Sequence, residues 1–152
     1  VLEAIRWSTA VELDDNHVRQ LIRFGRQHPA IVPLMVARCR TRDMSGEPEA
    51  FFGPQDYQHW RNSHGGMGDA QVVLAIDPGN RPVREWLEEL LRMKLRLPRT
   101  FFFDDVAKAI ELLATAGDRS PAFGRLLAQG ERHESREVRE AAKTAIAKLK
   151  TN

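Results

Sequence analysis

Apolar residues recur through the C-terminal part of the chain with the period of an α-helix. In SREVREAAKTAIAKL, Val138, Ala141, Ala142, Ala145, Ile146 and Leu149 fall at i, i+3, i+4, i+7, i+8 and i+11, one continuous stripe. Ser135 is placed to cap the start, and Lys148 and Lys150 suit the negative end of the helix dipole. In RSPAFGRLLAQG, Ser120 is the expected N-cap and Pro121 the first helical residue, with Phe123, Leu126 and Leu127 facing inward. In FFFDDVAKAIELLATAG, Val106, Ala109, Ile110 and Leu113 form the buried stripe and Gly117 stands where a helix ends. In NRPVREWLEELLRMKLRLP the spacing predicts a helix that opens at Pro82, buries Val83, Trp86, Leu87, Leu90 and Leu91, and stops before Pro98.

The N-terminal half is helical but less regular. DDNHVRQLIRFGRQH carries Val18, Leu21, Ile22 and Gly25 on one face and Arg19, Arg23 and Arg26 on another. PAIVPLMVARCRTR follows a break at His28–Pro29 and is apolar enough to be mostly buried, with Pro33 either delaying its start or kinking it. Residues 43–81 lack a clean period. They hold a polar connector, a short helix at PQDYQHWRN, the glycine-rich SHGGMGDAQ, the apolar run VVLAI and the turn DPGN. VVLAI fits a short helix or an extended connector, since no alternating partner strand is evident. The expectation is one all-α domain of about seven helices, with N-terminal helices in 1–42, a loop-rich insertion in 43–81 and packed helices in 82–150.

Composition narrows the class. The chain has 152 residues, 42% hydrophobic and 29% charged, which fits one soluble domain with a core of its own. Net charge is only +2, a surplus that does not itself call for nucleic acid. The basic residues are mostly arginine, 18 against 5 lysines, as a GC-rich bacterial coding sequence or an anion-binding surface would produce. The single cysteine, Cys39, permits no internal disulfide, and the longest apolar run, Ala30–Ala37, is too short for a membrane span. With no signal-peptide pattern, a cytoplasmic location is expected. The start at Val1 suggests a segment of a larger protein.

The segment 104–149 resembles HEAT-like (armadillo-type) helical repeats. The likeness lies in ESREVREAAKTAIAKL, where Val138–Arg139, the Ala141–Ala142 pair, Ile146 and Leu149 occupy the places usual in a second repeat helix, with PAFGRLLAQG as the first helix of the pair. The aspartate usual before the second helix is absent, and no second copy recurs near a forty-residue period. The resemblance implies antiparallel helix pairs stacked in a right-handed array, and a scaffold or recognition role.

Candidate chemistry is sparse. GGMGDAQ has neither the lysine nor the hydroxyl of a phosphate loop, its glycines at 65, 66 and 68 do not match a dinucleotide fingerprint, and no G-x-S-x-G elbow accompanies HGG. His64, Gly65, Gly66 and Gly68 are therefore expected to form a flexible contact loop. Asp56, His59, His64 and Asp69 are close in sequence but lack a compact metal motif. Cys39 reads as a buried small hydrophobe. Between Val18 and Arg42 there are six arginines and no acid. Arg19, Arg23 and Arg26, joined by Arg38 and Arg42 if the two helices form a hairpin, would make an anion- or partner-binding patch. The preferred expectation is a non-catalytic protein-interaction or regulatory module without cofactor or metal, its partner being another protein or other domains of its own chain. A nucleic-acid binder using the 19–42 arginines is the alternative, and an enzyme with a site near residues 56–69 the third class.

Overall fold

Seven α-helices and no strand occupy the described residues of the computed structural model, which are 13, 15–41, 66–96 and 104–151. They are α1 (Asp15–Gln27), α2 (Ile31–Thr41), α3 (Met67–Ile76), α4 (Arg81–Lys94), α5 (Asp104–Thr115), α6 (Pro121–Gly130) and α7 (Arg136–Thr151). None of these helices is long and apolar enough to cross a membrane. The expected helix at PQDYQHWRN and the run Phe101–Phe103 lie outside the described residues. The chain divides into two compact units, 1–83 and 84–152, with the division inside α4.

In the first unit α3 packs against both α1 and α2. It buries Met67, Asp69, Ala70, Val72, Val73 and Leu74, so it is covered on most of its circumference. A helix apolar on all sides shows no amphipathic stripe, which is why VVLAI fits two readings. The helical state of residues 67–76 corrects the loop reading for this part of 43–81. From the other helices come Val18, Ile31, Met35 and Cys39, all nearly inaccessible. Pro33 sits third in α2, within the first turn, where the missing N–H breaks no intrahelical bond. The turn Asp77–Asn80 closes through Asn80 N–H to Asp77 O at 3.1 Å, and Asn80 Oδ1 accepts the Val83 N–H at 3.3 Å, capping α4.

In the second unit the sequence stripes supply the core, except that Ala141, Ile146 and Leu149 of the α7 stripe are only half-buried. Trp86, Leu87, Leu90, Leu91, Val106, Ala109, Ile110, Leu113, Phe123, Leu126, Leu127, Val138, Ala142 and Ala145 are buried. Gly117 adopts φ 72°, and the bonds Gly117 N–H to Ala114 O and Asp118 N–H to Leu113 O close α5 in a left-handed cap. Ser120 Oγ accepts the Phe123 N–H at 3.0 Å and donates to Glu88 Oε1 at 2.8 Å, so the cap of α6 is tied to α4.

Cross-helix contacts fix the helix directions. Arg84 donates to Ala116 O at one end of α4, and Lys94 pairs with Asp105 at the other, so α4 and α5 run in opposite directions. Glu88 meets Ser120 and Leu95 O meets Gln129 Nε2, so α4 and α6 run the same way. Lys148 Nζ lies 2.9 Å from Thr115 Oγ1, which brings the C-terminal ends of α5 and α7 together. A methyl-sized group on Gly130 would meet Ala142 Cβ at 3.1 Å, placing the end of α6 against the first half of α7. The order is thus alternating, with α4 beside α6 and α5 beside α7.

Candidate functional site

The parallel course of α5 and α7 leaves a groove of about 480 Å³ between them. Alanines form its floor: Ala107 and Ala114 from α5, Ala141 and Ala145 from α7. Small side chains let the two helices approach without filling the space above the seam. Lys108 and Glu111 stand on the α5 rim, Glu137 and Lys148 on the α7 rim. Lys108 and Glu111 also pair with each other at 3.6 Å, an exposed contact of small energetic weight. The result is an apolar slot bordered by charges of both signs. Its floor offers no nucleophile or acid–base pair, and the arrangement suits contact with a complementary surface. The groove escapes sequence reading because α5 and α7 are separated by α6. The available signal was the alanine spacing, Ala141 to Ala145 on one helix and Ala107 to Ala114 on the other, which reads as close packing when each helix is taken alone.

The arginines anticipated as one patch divide. Arg19, Arg23 and Arg26 are exposed along one flank of α1, whose opposite side buries Val18 and Gly25. Arg38 is only 7% exposed, and its Nε donates to Asp69 Oδ1 at 3.0 Å. It therefore belongs to the interior of the first unit and not to a surface patch. The reason is the neighbour: α3 delivers the fully buried Asp69 to α2, and a buried charge is tolerated only when paired. Asp69 also stands in the first turn of α3, where the helix dipole favours an anion. Arg42 lies outside the described residues.

The glycine-rich stretch is likewise corrected where it is described. Gly66 is the N-cap of α3 and Gly68 lies inside the helix. A Cβ on Gly68 would come within 2.9 Å of Leu13 Cβ and 3.2 Å of Leu13 O, so this glycine permits a close approach and is not a loop hinge. Gly66 O accepts from Cys39 Sγ at 3.6 Å, and Cys39 is fully buried, in keeping with a small core residue. His64 and Gly65 lie outside the described residues, as do Asp56 and His59. Among the described residues no three His, Cys, Asp or Glu side chains group as a metal site would require.

Histidines behave individually. His17 and His28 are exposed on either end of α1, with the His28 ring 4.5 Å from that of Phe24. His133, in the turn before α7, is buried, and its Nδ1 accepts the Ser135 N–H at 3.1 Å. Burial lowers its pKa from the ordinary 6.5. The Arg139 charge adds to that lowering, while Glu134 opposes it.

Compared with known proteins, the chain matches no family model, no curated protein and no solved structure.

Proposed function

We propose that this chain is a non-catalytic protein-interaction or regulatory module, in which α4–α7 work as a HEAT-like stack of helix pairs. The observation that carries this reading is the α5/α7 groove, an alanine floor of about 480 Å³ between two helices running the same way. Alternating helix directions, with α4 beside α6 and α5 beside α7, support the comparison with stacked pairs. The fitting occupant is a short amphipathic segment of a partner protein. Its small apolar side chains enter the slot, and its charges meet Lys108, Glu111, Glu137 and Lys148. The test places a photo-reactive side chain at Thr144, on the groove wall, and at Lys143, exposed and outside it. Expected is a discrete crosslinked partner from Thr144 alone, lost when Ala141→Arg fills the slot. Equal products from both positions, or a Thr144 product indifferent to Ala141→Arg, would remove the groove from consideration.

A second reading is favoured by a different observation, the exposure of Arg19, Arg23 and Arg26 on one flank of α1. Such a flank suits a nucleic-acid backbone. Binding would then fall steeply as salt rises, and Arg19→Glu with Arg23→Glu would abolish it. Absence of any shift with mixed DNA and RNA at low salt would exclude this reading.

A further inference from the structure

A second concavity, about 590 Å³, lies where the C-terminal ends of α4 and α6 meet the turn into α7. Its position is fixed by Gln129 Nε2 donating to Leu95 O at 3.3 Å. Three arginines line it, each from a different segment: Arg96 after α4, Arg125 on α6 and Arg132 in the turn. All three are exposed, and none has an ion pair or side-chain hydrogen bond among the described residues. Several other cations of the unit are engaged, Lys94 with Asp105, Arg92 with Glu89, Lys108 with Glu111 and Lys143 with Glu140, whereas Arg119, Arg136 and Lys150 are exposed but do not line this concavity.

Arginines gather at helix C-termini for a bland reason, to answer the last carbonyls. Here other groups do that. Leu95 O takes Gln129, Leu127 O takes the Glu131 N–H, and Gly130 O takes the His133 N–H. Arg139 Nη1 donates to both His133 O and Glu134 O. The three arginines thus line one concavity without an ion pair of their own. Glu134, the single carboxylate of the lining, leaves a positive excess.

We propose that the cleft at the ends of α4 and α6 docks a short carboxylate-rich segment of a partner protein, held by Arg96, Arg125 and Arg132. A guanidinium fork matches a carboxylate in two parallel hydrogen bonds. Leu95 and Ala128 supply an apolar wall for the aliphatic stems of such a segment. The volume falls in the range of clefts that enclose a few side chains rather than a single small ion. A nucleic-acid backbone fits less well. Glu134 stands in the lining, with Glu131 and Glu137 three residues to either side of it in sequence, which disfavours a continuous run of phosphates more than one short acidic stretch. The proposal rests on the interaction-module reading for its protein partner, and it is independent of the α5/α7 groove.

The probe is a fluorescent peptide of alternating glutamate and leucine, titrated into the full chain. A single-stranded DNA of equal charge is the second arm. Expected is peptide binding at low salt that weakens as salt is added. Affinity should fall roughly tenfold or more in Arg125→Gln/Arg132→Gln, with a further loss on adding Arg96→Gln. Because these side chains are exposed, helical circular dichroism should be unchanged in the variants. Lys143→Gln, exposed and outside both concavities, should bind the peptide much as the parent does. Absent binding at low salt, or undiminished affinity in the triple variant, overturns the proposal. So does DNA that binds through the same arginines at least as tightly as the peptide. If Thr144 yields no crosslink yet the peptide still needs the arginines, the groove reading fails and the cleft stands.

Discussion

Arg38 carries the same charge as Arg19, Arg23 and Arg26, but it does a different job. With side-chain exposures of 8% and 0%, Arg38 and Asp69 form an ion pair inside the first unit. Truncating either partner leaves the other charge buried, at a cost of about 3–5 kcal/mol. Arg38→Ala and Asp69→Ala should therefore each lower the urea midpoint strongly, while Arg38→Met with Asp69→Leu should restore most of the loss. Arg23→Ala, on the exposed flank, should change stability by less than about 0.5 kcal/mol. An Arg38→Ala protein as stable as Arg23→Ala would contradict the pairing. His133 gives a second residue-scale expectation, in pH. Its folded pKa lies below the ordinary 6.5, chiefly through burial. Above 6.5 both states are neutral at this site and it contributes no pH dependence. As pH falls below 6.5 the unfolded chain takes up a proton that the folded chain resists, so stability declines until pH passes the folded pKa. The bond from the Ser135 N–H to Nδ1, which a protonated ring cannot accept, acts in the same direction. Unfolding curves of the parent and His133→Gln should diverge in slope below pH 6.5 and run parallel above it. Parallel curves throughout would mean that His133 titrates as an ordinary surface histidine.

At the scale of elements, Gly68 separates a packing role from a connector role. As a loop residue it would tolerate alanine freely. Inside α3, alanine gains about 1 kcal/mol of helix propensity but must displace Leu13, whose Cβ and carbonyl oxygen lie 2.9 and 3.2 Å from the new methyl position. Overpacking against backbone typically costs 1–3 kcal/mol, so Gly68→Ala should be net destabilising in denaturant titration. A neutral or stabilised variant would return Gly68 to the connector reading. The same contrast explains what the sequence made legible. Helices with one wet face announced themselves: the stripes of α4 and α5, and Phe123, Leu126 and Leu127 of α6, are the residues found buried. So did the caps with strong chemistry, Ser120 and Gly117. α3 hid because it is apolar nearly all round, and Asn80 hid because a cap inside a Pro-Gly turn reads as turn. The candidate sites were less legible, for a topological reason. Arg38 and Asp69 are 31 residues apart, α5 and α7 meet across an intervening helix, and the cleft arginines span Arg96 to Arg132. Local period and spacing carry no information about which helices become neighbours.

At the scale of the whole molecule, the chain resolves into two units, and the second closes most of its own interactions. Its cross-helix ties, Arg84 to Ala116, Lys94 to Asp105, Glu88 to Ser120, Leu95 to Gln129 and Thr115 to Lys148, all begin and end within 84–152. Residues of three helices also meet in its core, where Gly130 of α6 is packed against both Ala142 of α7 and Ile110 of α5. A unit so connected should fold without the first eighty or so residues, provided that α4 keeps its cap. A fragment of residues 77–152 retains the Asp77–Asn80 turn and the Asn80 Oδ1 bond to the Val83 N–H. It also retains a single tryptophan, Trp86, which is 8% exposed in the full chain and so reports on core formation. The fragment should show helical circular dichroism, blue-shifted Trp86 emission and one urea transition common to both signals. Ser120→Ala should lower its stability by about 1 kcal/mol through the lost α6 cap, and by a similar amount in the corresponding transition of the full chain. Helical signal without a cooperative transition would show that the α4–α7 stack depends on residues before Asp77. In that case the groove and the cleft would have to be studied as properties of the undivided chain.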